Sequence, residues 1–457
     1  MKEGNIMQND FSKGSIAKHV MGIAGPMIIA QLINVLYNVI DRIYIGRIPD
    51  VSTLAMGGLG LCLPLISIII AFANLFGMGG SPLCSIARGK GDNEEAELIM
   101  GNSFTLLLIF GVLLTFVGFI FKEKLLWLFG ASAQTITYAN DYMSIYLVGT
   151  LFVLIGLGLN SFINSQGFAK VGMMTVLIGA IINIILDPIF IFNFSMGVKG
   201  AALATVISQF ISAIWTVLFL TGNRTILKLR FHKMKLNFIY VKKIIALGTA
   251  GFMMAITNSV VTIVCNSTLQ TYGGDLYIAI MTIINSIREV ISLPAQGLAN
   301  ASQPVLGFNY GAKQYQRVLD TIKFVTLVSL GTGFMMWLGI TLFPKLFISV
   351  FTKDSDILIE GMKSLRLYFF GFFMMSFQMT GQAVAIGIGK SKQAIFFSIF
   401  RKVIIVAPLT IILPYFIGID GVFIAEAISN YIGGGACYIT MLLTIGKELR
   451  KKTMKEV

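Results

Sequence analysis

The stretch GVKGAALATVISQ, Gly197 to Gln209, returns in altered form as GIDGVFIAEAISN, Gly418 to Asn430. The pairing sets Gly200 on Gly421 and Thr205 on Glu426. Working outward, the same correspondence continues towards the amino terminus of each half. Asp187-Pro188 and Ala407-Pro408 each come seventeen residues after a lysine, Lys170 and Lys390, that closes GFAK in one half and GIGK in the other. Tyr146 and Gly149 match Tyr368 and Gly371. FKEKLLWLF from Phe121 matches FPKLFISVF from Phe343, and Pro82 with Gly89 matches Pro304 with Gly311. Each match is short, but they share one order and an offset near 220 residues. The chain is an internal duplication.

Composition gives the class. Charged residues make up 12% and hydrophobic ones 56%, with a mean hydropathy of +0.83. A soluble domain carries about 25% charged residues, so this is a membrane protein. Apolar runs such as Leu61–Phe76 and Ile178–Phe194 approach the ~20 residues needed to cross a ~30 Å hydrocarbon core. Their polarity does not alternate at period two, which argues against a β-barrel and for helices that satisfy their own backbone. We expect an all-α integral membrane protein with twelve spans, roughly 20–46, 54–85, 98–121, 137–165, 172–195, 197–222, 243–271, 276–305, 318–344, 361–388, 392–416 and 420–445. Each repeat then holds six helices, an even number, so both enter from the same side as parallel repeats. The organisation expected is a six-helix lobe over 1–222, a basic linker over 223–243 and a second lobe with its tail over 244–457, the two pseudo-symmetric lobes facing each other around a central cleft.

The formal charge of +14 follows topology. With both termini on one side, that side holds Lys2, Lys13, Lys18, Arg88, Lys90, Lys170, the run from Arg224 to Lys243, Lys313, Arg317, Lys390, Lys392 and the tail from Lys447. The other side holds Arg47, Lys122, Lys124, Lys199, Lys345, Lys353 and Lys363. Basic loops stay in the cytoplasm, so both termini are expected there, in a bacterial cytoplasmic membrane, with anionic lipid rather than nucleic acid meeting the charge. Residues 1–19 are polar and do not read as a cleavable signal. Cys62, Cys84, Cys265 and Cys437 lie singly in apolar runs and read as small buried hydrophobes. His19 and His232 flank helices, which disfavours a zinc or histidine-based catalytic centre. No GxxxxGK[ST] motif is present, so direct ATP drive is disfavoured. A secondary transporter is the expected class. No cofactor beyond a coupling ion is expected, nor any enzyme activity, and the chain is expected to act as a monomer.

Charges inside the spans narrow this further, because each costs about 2.5–3.5 kcal/mol at mid-membrane. NVLYNVIDRIYIG, Asn34 to Gly46, places Asp41 near the outer end of the first span. Asp187 falls in the outer half of the fifth, with Asn183 four residues earlier on the same face. Thr205 lies about two turns into the sixth. These four side chains should share one depth. Their oxygens suit a hard cation such as Na⁺, or a proton shared by two acids. Pro188 removes a helix hydrogen bond beside them and makes a natural hinge. Arg42 follows Asp41 directly and does not share its face. Tyr37, one turn before Asp41, and Asn34 and Asn160 are candidates for the substrate surface, and flexible methionines would suit varied ligands. In the second repeat Asp187 becomes Ala407 and Asn183 becomes Val403. That lobe instead carries Arg288, Glu289, Arg401, Lys402 and Glu426, a set expected to form a buried salt-bridge network.

The twelve helices in two repeats, LYNVIDRIYIG in the first span, the NxxxDP segment Asn183–Pro188, and the QP…G.NYGA stretch Gln303–Ala312 together resemble the multidrug and toxic compound extrusion (MATE) transporters, in the bacterial MepA-like and DinF-like branch. The resemblance covers residues 15–446. It implies a cation-coupled antiporter exporting organic, often cationic or amphipathic, drugs, with the coupling ion (Na⁺ or H⁺) held in the first lobe at Asp41, Asn183, Asp187 and Thr205. The NorM-like branch carries acids in its seventh and tenth helices. Here 243–271 and 361–388 have none, and Glu289 and Glu426 fall elsewhere, so the resemblance does not extend to an ion site of that kind. The alternative reading is a flippase for lipid-linked oligosaccharides of the same broad superfamily. Its cleft would need the basic character that Arg288, Arg401 and Lys402 supply. A membrane enzyme or an ion channel is the more distant alternative.

Overall fold

The computed structural model describes residues 10–49, 51–352 and 354–455; Lys2 and Lys353 of the charge pattern lie outside them. Among the described residues there are helices and no strands. In chain order the first half holds α1 (Ile16–Ile45), α2 (Ser52–Gly89), α3 (Asn93–Leu128), α4 (Ile136–Val148), α5 (Thr150–Ser165), α6 (Ala169–Pro188) and α7 (Val198–Thr221). The second half holds α8 (Phe238–Gly311), α9 (Tyr315–Leu342), α10 (Pro344–Ser349), α11 (Ser355–Tyr368), α12 (Met375–Gly387), α13 (Ser391–Ile399), α14 (Ala407–Ile412), α15 (Pro414–Ile417), α16 (Asp420–Met441) and α17 (Lys447–Thr453). α8 is two helices joined at Gly274, whose φ of 65° interrupts the helical path. Ten segments among the described residues are long and apolar enough to span a membrane, and twelve if each of two bent pairs is one span. The twelve-span expectation therefore holds.

Two of the expected spans are broken. The segment expected at 137–165 bends by 57° between α4 and α5, and that at 361–388 bends by 40° between α11 and α12. The breaks fall at Gly149 and Gly371, which the repeat pairs. At Gly371 the φ of 70° lies in the left-handed region, and an added Cβ would sit 2.2 Å from the Tyr431 ring. Only glycine fits there without strain.

The chain divides into two compact units. One takes Gly25–Gly248; the other takes Phe11–Ala24 with the chain from Thr249 onward. In the first, Gly77 of α2 and Gly158 of α5 let two helix backbones meet: a Cβ on Gly77 would lie 2.6 Å from the Gly158 carbonyl oxygen. Close approach at small residues is how apolar helices gain packing energy in lipid. Phe76, Leu107, Leu159 and Phe162 fill the space around this contact and are fully buried. α3 shows the division of faces. Met100, Ser103, Leu107 and Gly111 are buried, while Ile109, Leu113, Phe116 and Ile120 are exposed at helical spacing, as a lipid-facing stripe requires. The second unit has its own core, including Ile284, Ile340, Leu365, Phe369 and Phe423.

The segment expected as a basic linker, 223–243, packs within the first unit. Gln166 Oε1 accepts from the Thr225 hydroxyl at 2.8 Å and from the Leu227 N–H at 2.7 Å. Glu97 on α3 takes the Lys228 N–H at 3.0 Å and ion-pairs with Lys233 at 3.0 Å and Arg230 at 3.2 Å. The amino-terminal segment belongs to the second unit for an equally local reason. Arg317 donates to the carbonyls of Phe11 at 2.9 Å and Gly14 at 3.1 Å, and Phe11 meets the Phe308 ring edge-on at 5.6 Å. Sequence placed neither contact, because both depend on polar side chains far away in the chain.

Candidate functional site

In the first unit the polar residues expected from sequence come together. α6 carries Asn183 and Asp187 one turn apart, and the Asn183 amide nitrogen donates to Asp187 Oδ1 at 3.2 Å. The same nitrogen lies 3.4 Å from Thr205 Oγ1 on α7. Asp41 reaches in from the last turns of α1, close enough for its carboxyl group to interact electrostatically with that of Asp187. All four are buried, Asp187 and Asn183 almost completely. Arg42 is exposed, and among the described residues no ion pair joins it to Asp41. Asp41 is therefore not one half of a salt bridge.

Three oxygens at this site are buried without a hydrogen-bond partner among the described residues: Asp41 Oδ1, Asp187 Oδ2 and Asn183 Oδ1. All three are acceptors. A buried acceptor without a partner costs about 1–3 kcal/mol, more when charged, so the three together form an acceptor set that a donor or a cation could satisfy. Nitrogen and sulfur ligands are missing from the set, and no group of three His, Cys, Asp or Glu among the described residues could hold a metal. The donor chemistry is oxygen only, which fits a hard monovalent ion or a proton rather than a transition metal.

The site has members that sequence reasoning missed. Tyr142 on α4 is buried close to Thr205, and its ring stacks on Tyr146 with centroids 6.0 Å apart. Tyr37 interacts electrostatically with both Asp41 and Asp187, and with Tyr146. A belt of phenols thus borders the acids. The signal was present: Tyr138, Tyr142 and Tyr146 recur every four residues along one helix face.

Not every candidate joins. Asn160 on α5 donates to the Gly172 carbonyl at 3.3 Å. That places it ~16 Å from Asn183 along α6, at ~1.5 Å per residue. Asn34 accepts from the Asn38 amide at 3.1 Å and is half-buried. Pro188 ends α6 and passes directly into a π-helical turn, Ile189–Asn193. The hinge candidate therefore adjoins a widened turn as well as a missing hydrogen bond.

The second unit carries the other polar group. Arg401 and Lys402 both reach Glu426, Arg401 through a short ion pair and Lys402 at 3.2 Å. Arg401 also donates to Gln378 Oε1 at 2.7 Å. Consecutive residues of an α-helix do not face the same way. Here they do because Phe400–Val406 is a π-helix, whose wider turn rotates successive side chains by less. Arg288 borders the same region beside Tyr368. Glu289 is exposed, and among the described residues no ion pair ties it to the group. It leaves the cluster in which the sequence placed it, because it follows Arg288 on an ordinary helix and points elsewhere.

The MatE family model matches twice, over residues 26–189 and 250–412, in keeping with the duplication. The Multidrug export protein MepA of Staphylococcus haemolyticus (strain JCSC1435) is 27% identical over 429 residues, covering 92% of this chain and 93% of that protein. The MepA protein of Staphylococcus aureus (strain MSSA476) is 27% identical over 90% of each. The fold is similar to that of a multidrug resistance MATE family transporter of the MOP superfamily, solved in its outward-facing conformation, with a TM-score of 0.91, 25% identity, and coverage of 97% of this chain and 99% of that one. With both repeats matched, the chain belongs to the MATE family of membrane transporters.

Proposed function

We propose that this protein exports organic, often cationic or amphipathic, compounds from the cytoplasm in exchange for an inward-moving cation, Na⁺ or H⁺. The observation that carries the reading is the pairing of Asp41 with Asp187, with three buried oxygens left without partners. Two carboxylates this close repel when both are ionised, so a cation or a proton between them changes how α1, α6 and α7 pack. Pro188 and the π-turn after it supply the place where α6 gives way. The chain lies in the cytoplasmic membrane with both termini inside and Asp41 towards the outer face, as the placement of Lys and Arg argues. An external cation binds the acids, the drug is released outward, and the two lobes rock to the inward-open state. Release of the cation to the cytoplasm then returns the site to its empty form. Cation and drug must favour opposite states for the exchange to be coupled. The relatives, named for multidrug export, favour this over the flippase reading.

The test is dye efflux from proteoliposomes holding the purified chain, with Na⁺ and pH gradients imposed one at a time. Efflux driven by one gradient and absent without either is expected. Efflux indifferent to both gradients would overturn the coupling.

A further inference from the structure

The second unit holds a cavity that the transport reading does not use. Its polar wall is made by Arg288, Lys402 and Glu426 with the amides of Asn258, Asn266 and Asn285; Val261, Met281 and Val422 supply apolar wall. Arg401 lies directly behind it, bonded to Glu426. Three cationic side chains therefore share one carboxylate. Guanidinium groups stay charged in proteins, so Arg288 and Arg401 alone outnumber Glu426 even if Lys402 gives up its proton. Arg401, Lys402 and Glu426 are buried and Arg288 is half-buried; buried charges are normally paired, and this set is short of anions. Two observations show the deficit, the first of them at the cavity wall. Glu426 is taken up by Arg401 and Lys402, whereas Arg288 has no ion pair among the described residues. Arg401 Nε is buried with no hydrogen-bond partner among them.

The position of the cavity in the repeat sharpens the argument. Glu426 stands where the first repeat has Thr205, and Cys265 stands near the counterpart of Asp41. Tyr368 beside Arg288 is the counterpart of Tyr146. The place that holds unpartnered acceptors in one unit holds surplus donors in the other.

We infer that this cavity binds an oxyanion, a carboxylate or phosphate group on a small amphipathic molecule, held by Arg288 with Lys402 and the Asn amides while the apolar wall takes its body. The planar guanidinium of Arg288 matches two oxygens of either group, and the amides donate to the remainder. Glu426 keeps Arg401 and the inner side of Lys402 in place and leaves the outer donors to the ligand. The site is independent of drug–cation exchange, so a binding measurement tests it whether or not the coupling reading stands.

The experiment uses the full chain, purified in an uncharged maltoside detergent. Binding of benzoate, phenyl phosphate and uncharged benzamide is measured by calorimetry and by the shift in melting temperature. We expect the two oxyanions to bind saturably and benzamide not to bind. Arg288→Gln should weaken oxyanion binding about tenfold or more, with Arg288→Lys in between because it keeps the charge and loses the fork. If Arg288→Gln does not fold, Asn266→Asp places a carboxylate in the cavity without removing volume and should weaken binding in the same sense. Native mass spectrometry separates the sources. A phospholipid that co-purifies with wild type and is lost from Arg288→Gln identifies a lipid headgroup; oxyanion binding with no such lipid identifies a free solute. Absence of saturable oxyanion binding, or equal binding by wild type and the folded variants, overturns the inference.

Discussion

The two units build opposite electrostatics from matching places. In the first, Asp41, Asp187, Asn183 and Thr205 gather oxygens; among the described residues no base forms an ion pair with them and three acceptors stay unpartnered. In the second, Arg401 and Lys402 close on Glu426 within a π-turn. Both polar groups sit beside a proline that the repeat conserves, Pro188 and Pro408, and both neighbour a tyrosine from a helix that bends at glycine. The duplication kept the frame and exchanged the charges. A buried charge with its partner in place is a structural element. A buried charge without one is poised to receive something. The contrast therefore sets acceptors left without partners against a single carboxylate pinned by two cations.

The comparison can be broken most directly at its acidic end. Asp41→Asn and Asp187→Asn should each reduce gradient-driven dye efflux to the level of empty liposomes, while the protein still inserts and purifies. Wild-type rates in both would remove the first unit from the coupling. Glu426→Gln should act on stability instead, because it leaves two buried cations without their carboxylate. Breaking such a pair costs about 3–5 kcal/mol, read as a loss of melting temperature in detergent. An unchanged melting temperature with lost efflux would make the basic group part of transport. Gly371→Ala should cost about 1–2 kcal/mol from the left-handed backbone alone, and more if the Tyr431 ring cannot move; unchanged stability would mean the bend relaxes freely. The smallest effect is expected at Thr205→Ala, which removes one oxygen from the acidic site. A weakening of about fivefold in the cation concentration that half-saturates efflux corresponds to the ~1 kcal/mol of one hydrogen bond. A loss as large as that of the aspartates would make Thr205 a full partner.

Much of the acidic site was legible because a carboxylate in an apolar helix has few explanations. Asp41, Asp187, Asn183 and Thr205 could be set at one depth by counting turns, and they meet as counted. Tyr142 escaped notice because a tyrosine in an apolar run reads equally well as packing. Arg288 and Glu289 were placed in one polar cluster, yet only Arg288 borders the cavity, since neighbours on an α-helix diverge. Arg401 and Lys402 should have diverged for the same reason, and the π-turn overrides it. The breaks at Gly149 and Gly371 escaped notice because each falls inside a stretch that is long and apolar enough to be one span.

By itself, then, the sequence determined the class, the twelve spans, the duplication and the acids of the first unit. These follow from composition, period and offset, which are local or repeated properties of the chain. Tertiary structure decided what those could not. It attached Phe11–Ala24 to the second unit through Arg317, folded 223–243 onto the first through Gln166 and Glu97, and bent two spans at glycine. It also left acceptors unpartnered in one unit and cations in excess in the other. Which buried group finds a partner depends on contacts between segments distant in sequence, and no local pattern records them.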